Sequence, residues 1–321
     1  MMVKTKESMK FKFLITLFFT QIIFSSQPDF LNTTFLNNPA IVQKSLLEQG
    51  FSKIFFTTQD NLKLCGLFKD QSKQMVIKGT ILYCAGFYPG TKEGMASFYS
   101  LFSNQPYNFF FFFARGHQES QGSLFSYQSL KNYGNVEFQD IVAAIKFLQN
   151  YNQEHNLSQD IIIHGICSGA FHAIKAYDFL RQHDCATCNN IKGIIFDSGW
   201  TQMTDIVEPT MCAEINKRLQ NSLLSWLIQP LCYLIVQAYR LTLKHHHKNI
   251  TGISPLIPNI SCPILFVHCI NDPFVPIASV QNLVHQLQCP NSWWINHNAH
   301  ANFHATDPST YTQKIMTFLK N

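Results

Sequence analysis

An apolar run that ends in a Gly-x-Cys-x-Gly turn constrains this chain more than any other feature. The run covers residues 161–170 and reads IIIHGICSGA. It has the form of a β-strand that turns sharply into a helix and presents one reactive side chain at the turn. The residues two before and two after that side chain must be very small, because the strand and helix backbones crowd together there. Gly165 and Gly169 meet this requirement around Cys167.

The turn predicts Cys167 as a nucleophile. In the neighbouring register Ser168 would be the nucleophile, and Ile166 and Ala170 would then occupy the crowded positions, which is sterically poor. A purely structural role is the alternative, since free cysteine is among the most often buried residue types and glycines also occur at such turns for packing alone. A catalytic Cys167 therefore needs a base, an acid and oxyanion donors elsewhere in the chain.

Further apolar segments predict strands that lead into polar loops. They are residues 79–85, 107–113, 263–269 and 293–295. Asp272 follows the third segment, and His297 and His300 follow the fourth. A nucleophile, an acid and a histidine in this chain order, each just beyond the carboxyl end of a strand, suit nucleophilic catalysis.

With these motifs the sequence resembles the α/β-hydrolase family over roughly residues 50–320. The segments that carry the resemblance are residues 84–87, 114–120, 165–169, 271–276 and 298–300. The resemblance implies a mostly parallel sheet with helices on both faces. Cysteine stands where serine is usual in the family, which is similar to the cysteine hydrolases of the dienelactone hydrolase type.

The resemblance also implies a site. It implies Cys167 as the nucleophile, Asp272 as the acid and His300 as the base, with an oxyanion hole formed by the backbone N–H groups of Phe87 and Ser168. A thiol at a helix N-terminus beside an imidazole is favoured in its reactive thiolate form. The expected chemistry is acyl transfer to the sulfur, with the two N–H groups holding the oxyanion.

Two aspartates compete for the role of the acid. Asp272 follows a strand and precedes Val275 and Pro276, which favours it, although an aspartate in an Asn-Asp-Pro turn can also be a simple cap. Asp197 is the rival, because it ends the apolar segment 194–196 and the acid of this fold can lie one strand earlier. We predict Asp272.

Three histidines compete for the role of the base. A helix predicted to begin near residues 307–308 favours His300 over His297 and His304. His164, inside the strand before the turn, is predicted to be a core histidine with its hydrogen bonds satisfied. A structural role is predicted for four polar residues near the sheet edge, which are Arg115, His117, Glu119 and Asp140.

The rest of the pattern predicts one catalytic domain over residues 50–320. Residues 51–57 and 62–68 form a hairpin, after which strands alternate with helices. Helices are predicted near residues 92–102, 137–151, 170–181, 277–288 and 310–319. This alternation indicates a mostly parallel sheet with helices on both faces.

Composition agrees with one large core and argues against nucleic acid as a partner. Of 321 residues only 13% are charged and 29 are phenylalanine, so the chain is strongly apolar. The net charge of +5 is modest, and no basic stripe interleaved with aromatic residues occurs. The sequence predicts neither a cofactor nor a metal site. The histidine run at 245–247 is predicted to be a solvated turn, because no carboxylate lies at ligand spacing.

The cysteines give a mixed signal about the redox compartment. The chain has ten, which leaves an odd number once Cys167 is set aside, so complete pairing requires a further free thiol or an intermolecular bond. Cys84 and Cys269 lie in predicted buried strands. Cys185 and Cys188 predict a surface loop, with room for a local disulfide, because no second Cys-x-x-Cys completes a metal site.

The N-terminus has a basic start and a short apolar run over residues 13–24. This run matches a secretory signal better than a membrane-spanning helix, which needs about 20 residues. An uncleaved anchor is the alternative, because the residues two before Ser25 and Ser26 are large. We expect residues 1–26 to export the chain or anchor it to a membrane, and residues 27–49 to form a lead-in arm.

An insertion is predicted between two core strands, over about residues 200–258. Its apolar stretch 222–243 is long enough for a membrane helix, but Pro230 and its place inside the domain favour a pair of lid helices.

The sequence predicts a hydrolase that cleaves an ester, thioester, lactone or small amide through an acyl-cysteine intermediate. Its expected partner is a small-molecule acyl substrate with an apolar part. Two alternatives remain open, which are an acyltransferase that uses the same intermediate and a non-catalytic binding protein that has kept the fold.

Overall fold

The structure is a computed structural model of the chain. It describes residues 39–86, 90–123, 134–202, 252–287 and 291–320, together with the single positions 205, 233, 234 and 237. The predicted export or anchor segment, residues 1–26, lies outside the described residues. The histidine run at 245–247 also lies outside them, and so does the apolar stretch 222–243 of the predicted lid, apart from positions 233, 234 and 237. Within the described residues, no helix has the length and apolarity that crossing a membrane requires.

Eight strands form one sheet in the order β1-β2-β4-β3-β5-β6-β7-β8. The strands are β1 Ser52–Thr57, β2 Lys63–Lys69, β3 Gly79–Cys84, β4 Tyr107–Phe113, β5 Ile161–Ile166, β6 Ile191–Asp197, β7 Ile264–Cys269 and β8 Ser292–Ile295. The first two strands run antiparallel to their neighbours, and β3 to β8 are all parallel. The predicted mostly parallel sheet is therefore confirmed.

Helices cover both faces of this sheet. They are α1 Pro39–Glu48, α2 Gly90–Phe102, α3 Phe138–Glu154, α4 Ser168–His183, α5 Cys185–Cys188, α6 Ile277–Leu287, α7 Phe303–Thr306 and α8 Pro308–Phe318. One group of helices, α3 to α5, packs together, and α2 packs with α7 and α8. Every residue of the four strands β3, β4, β5 and β7 is buried, and so are the last five residues of β6. These strands therefore read as largely apolar runs.

The segment predicted to form a lead-in arm, residues 27–49, contains the helix α1, which packs against α2 and buries Leu46 completely. One local expectation is wrong. Residues 185–188 form a helical turn rather than a surface loop, because the Asp184 side chain accepts a hydrogen bond from the N–H of Thr187 and starts the turn. Cys188 is buried, and both cysteines of this turn are free thiols.

The parallel strands place four loops on one edge of the sheet. The carboxyl ends of β5, β6, β7 and β8 lead to Cys167, Asp197, Asp272 and His300 in turn. Residues that follow neighbouring parallel strands meet in the crevice at that edge, so the strand order brings these side chains into one region.

Candidate active site

The turn between β5 and α4 holds Cys167 in a strained conformation. Its φ is 57° and its ψ is −119°, a left-handed conformation that non-glycine residues rarely adopt. A Cβ added to Gly165 would lie 2.6 Å from the Cα of Ala170, and one added to Gly169 would overlap the carbonyl oxygen of Cys84. Both glycines are therefore required for the close approach of strand and helix, as the sequence pattern predicts.

Asp272 and His300 are joined directly. His300 Nδ1 lies 2.7 Å from Asp272 Oδ2, and the Asp272 side chain is fully buried. The other carboxylate oxygen accepts hydrogen bonds from the backbone N–H groups of Phe274, at 2.8 Å, and Val275, at 2.9 Å. The carboxylate is thus held by its own loop and leaves one oxygen for the imidazole.

His300 also interacts with Cys167. Burial would lower the pKa of His300, but electrostatic interactions and hydrogen bonds with Cys167 and Asp272 raise it well above its usual value. Because Nδ1 is bonded to Asp272, Nε2 is the ring nitrogen left for the sulfur. The structure therefore brings together Cys167, His300 and Asp272, the three residues predicted as nucleophile, base and acid.

One of the two predicted oxyanion donors can be located. Ser168 is the first residue of α4, where a backbone N–H has no acceptor within the helix. The helix N-terminus adds a partial positive charge at the same place. Phe87, the other predicted donor, lies outside the described residues.

Comparison with known proteins identifies this architecture. No family model matches the chain. The uncharacterized protein YqkD of Bacillus subtilis is 25% identical over 245 residues, which are 75% of this chain and 71% of that protein. An esterase of Pyrococcus furiosus superposes with a TM-score of 0.63 at 19% identity, over 86% of this chain and 92% of the esterase. The chain has the α/β-hydrolase fold.

Other solved α/β-hydrolase structures agree with this. An acylaminoacyl peptidase of Pyrococcus horikoshii matches 84% of this chain and 40% of its own length, with a TM-score of 0.55 and 15% identity. The esterase EaEST of Exiguobacterium antarcticum matches 84% of this chain and 100% of its own, with a TM-score of 0.52 and 13% identity. The sequence prediction of this fold is confirmed.

The rival acid, Asp197, lies in a separate polar cluster of the α/β-hydrolase core. Its Oδ2 accepts a hydrogen bond from the Tyr311 hydroxyl at 2.7 Å, and its Oδ1 accepts one from Ser198 Oγ at 2.9 Å. Burial would raise the pKa of Asp197, but the nearby His164 and the hydrogen bonds from Tyr311 and Ser198 outweigh it and lower the pKa. Both oxygens are engaged, and neither contacts His300.

The other histidines weighed in the sequence lie in surroundings that differ from those of His300. His304 is buried on α7, and burial lowers its pKa to about 4, so it is neutral near pH 7. His297 packs its ring near Phe303 rather than against a carboxylate. His164 is buried in β5, its Nε2 lies 2.8 Å from the Tyr311 hydroxyl, and its Nδ1 has no hydrogen-bond partner among the described residues. His164 is a core histidine, as predicted, but only one of its ring nitrogens has a hydrogen-bond partner among the described residues.

The four polar residues predicted to be structural hold the loop after β4. Arg115 Nη2 lies 2.7 Å from Asp140 Oδ1, and its Nη1 lies 2.8 Å from Asp60 Oδ2. Glu119 accepts hydrogen bonds from Gln43 and Lys53. The remaining residue, His117, is buried, with Nδ1 3.2 Å from the carbonyl oxygen of Arg115 in the same loop.

A further buried histidine, which the sequence pattern does not single out, lies near Asp272. His268 lies in β7, with Nε2 3.0 Å from the carbonyl oxygen of Val275 and 3.7 Å from Asp272 Oδ2. Burial lowers the pKa of His268 and favours its neutral form. Its only signal in the sequence is a polar residue within an apolar strand, four positions before Asp272.

Proposed function

We propose that this protein hydrolyses an ester, thioester, lactone or small amide through an acyl-cysteine intermediate. The observation that carries the proposal is the position of His300, which is bonded to the buried Asp272 and interacts with Cys167 at the strained turn. A nucleophile next to a base that is itself oriented by a third group is the requirement for nucleophilic catalysis.

The proposed reaction starts from a thiolate of Cys167 and a protonated His300. The sulfur attacks the acyl carbon, a C–S bond forms, and the carbonyl electron pair moves to the oxygen, which the N–H group of Ser168 stabilises. The tetrahedral intermediate collapses, the bond to the leaving group breaks, and His300 Nε2 gives its proton to that group. Acyl-Cys167 and a neutral His300 remain.

Water completes the cycle. Neutral His300 accepts a proton from a water molecule, whose oxygen attacks the thioester carbon. The C–S bond then breaks and its electron pair returns to the sulfur, which restores the thiolate–imidazolium pair and releases the carboxylic acid. Asp272 fixes the Nδ1–H tautomer of His300 throughout and stabilises its positive charge.

The likeness to esterases and to an acylaminoacyl peptidase supports ester or amide bonds as targets. The proposed substrate carries an apolar acyl group, because the insertion predicted as a lid is rich in apolar residues. We also propose that residues 1–26 direct export or membrane attachment. These two proposals rest on the sequence of segments outside the described residues.

Turnover of para-nitrophenyl esters by two neighbouring variants tests the proposal. Cys167→Ala should abolish ester hydrolysis. Ser168→Ala, its matched control, should keep most of it, because Ser168 contributes a backbone N–H rather than its hydroxyl. Equal loss in both variants would assign the chemistry to Ser168. Full activity in Cys167→Ala, or no activity and no labelling of Cys167 by thiol-reactive hydrolase probes in the wild type, would refute an acyl-cysteine hydrolase.

A further inference from the structure

The dipeptide Asp197–Ser198 is bonded to both the nucleophile turn and the histidine loop. The carbonyl oxygen of Asp197 accepts a hydrogen bond from the N–H of Cys167 at 2.9 Å. Ser198 Oγ accepts one from the N–H of Ala301, the residue after His300, at 3.1 Å. Two adjacent residues at the end of β6 therefore connect the chain segments that carry the sulfur and the imidazole.

The direction of each hydrogen bond follows from the number of protons available. Ser198 has one hydroxyl proton and donates it to Asp197 Oδ1, so its oxygen is free to accept the N–H of Ala301. Tyr311 likewise donates its single proton to Asp197 Oδ2, so His164 must donate from Nε2 to the Tyr311 oxygen. The carboxylate is the end point of both chains of donors.

The connection is buried and conformationally demanding. Asp197 and Ser198 are each 2% exposed. Ser198 and Ala301, the two ends of the bridging hydrogen bond, both have φ of 52°, which non-glycine residues adopt only where surrounding contacts impose it. Such conformations cluster at functional sites, and here they occur on both sides of the bond that holds the His300 loop.

We propose that Asp197 and Ser198 are positioning residues that fix His300 relative to Cys167, a role that rests on the function proposed above. Asp197 orients the Ser198 hydroxyl through its buried charge, and Ser198 holds the backbone beside His300. The pair acts through geometry, since neither side chain touches the reacting atoms. A shift of about 1 Å in a catalytic group can cost on the order of 100-fold in rate.

Removing the Ser198 hydroxyl tests this role. Ser198→Ala and Ser198→Gly both remove the acceptor for Ala301, and Gly also tolerates the positive φ, so Ser198→Gly should fold even if Ser198→Ala does not. In both we expect kcat for a para-nitrophenyl ester to fall by about 10-fold or more, with KM changed by less than about 2-fold. Tyr311→Phe, which withdraws one donor from Asp197, should have a smaller effect of the same kind.

The matched control is Tyr177→Phe, which removes another buried tyrosine hydroxyl, one bonded to Ser261 at 2.8 Å. It should leave kcat unchanged. The second readout is the pH dependence of Cys167 alkylation by iodoacetamide. In the Ser198 variants, alkylation at pH 5 to 6 should slow towards the rate of an isolated thiol, because His300 no longer sits beside the sulfur.

Unchanged kcat and an unchanged alkylation profile in folded Ser198→Gly would overturn the positioning role. So would equal losses in Ser198→Gly and Tyr177→Phe, because those would indicate a general structural effect. Different results would refute the proposed function: a wild-type protein that does not hydrolyse esters, or a Cys167→Ala variant that remains active. In that case the alkylation profile of the Ser198 variants still decides whether these residues position His300.

Discussion

His300 Nδ1 lies 2.7 Å from a carboxylate oxygen of Asp272 whose partner oxygen is held by two backbone N–H groups. Asp272 therefore cannot turn away from the imidazole without breaking the hydrogen bonds of its own loop. In the proposed mechanism this fixed carboxylate selects the tautomer that presents Nε2 to Cys167 and stabilises the positive charge of His300.

Asp272→Asn should preserve the fold and lower kcat for ester hydrolysis by about 100-fold or more, because the amide can select the wrong imidazole tautomer and lacks the negative charge. Steady-state kinetics with a para-nitrophenyl ester measure this effect. Asp178→Asn is the matched control, since Asp178 is also buried but is paired with Arg181. Comparable losses of kcat in both variants would exclude a specific role for Asp272.

His300 also makes a pH-dependent contribution to stability. Its pKa in the folded protein is raised, so the folded state binds the proton more tightly than the unfolded chain. The resulting stabilisation is complete below about pH 6.5, the ordinary value for histidine, and is lost as the pH rises through the raised folded value. The difference in unfolding free energy between the wild type and His300→Gln should therefore be largest near pH 6 and shrink at alkaline pH. Urea unfolding between pH 5.5 and 9.5 measures it, and a difference that grows with pH would contradict the assignment.

Gly169 is predicted to tolerate no side chain. A Cβ there would overlap the carbonyl oxygen of Cys84, which is backbone and cannot rotate away. Gly169→Ala should destabilise the protein by about 1–3 kcal/mol or more, the usual cost of forcing extra atoms into a packed region. Gly193→Ala is the control, because a Cβ added there would lie 3.2 Å from its nearest neighbours, which are ring atoms of the Phe318 side chain rather than backbone. Thermal unfolding measures both variants, and equal midpoints would show that the turn can relax.

Acyl-chain length tests the proposed apolar specificity. Each methylene buried in an apolar pocket contributes about 0.8 kcal/mol, so kcat/KM for para-nitrophenyl esters should rise from acetate upward until the pocket is filled. Deleting residues 223–241 should flatten this series while leaving acetate turnover in place. An intact protein that prefers acetate, with no change on deletion, would rule out the lid.

The fold could be predicted because buried parallel strands, and the turns that follow them, have recognisable local sequence patterns. A run such as YNFFFFF in β4 is typical of a strand covered on both faces, and glycines two positions either side of Cys167 mark the turn. The sequence does not predict helix α1, because only packing against α2 shows which of its sides is buried.

The site was predictable only as a short set of candidates. Chain order placed Asp272 and one of three histidines near Cys167, but a single contact distinguishes His300 from His297 and His304. The contacts of Ser198 and Tyr311 have no signal in the sequence. Ser198 contacts a residue 103 positions away, and Tyr311 contacts Asp197 across 114 positions, so both links exist only after the sheet has formed.

Trapping the covalent intermediate tests the acyl-cysteine proposal most directly. Wild-type protein mixed with a para-nitrophenyl ester, quenched in acid within the first turnovers and digested, should yield a peptide whose mass is increased by one acyl group, with fragmentation placing that group on Cys167 as a thioester labile to hydroxylamine. The same experiment with Cys167→Ala should give no acylated peptide. An acyl group on Ser168, or hydrolysis at the wild-type rate by Cys167→Ala, would contradict the account.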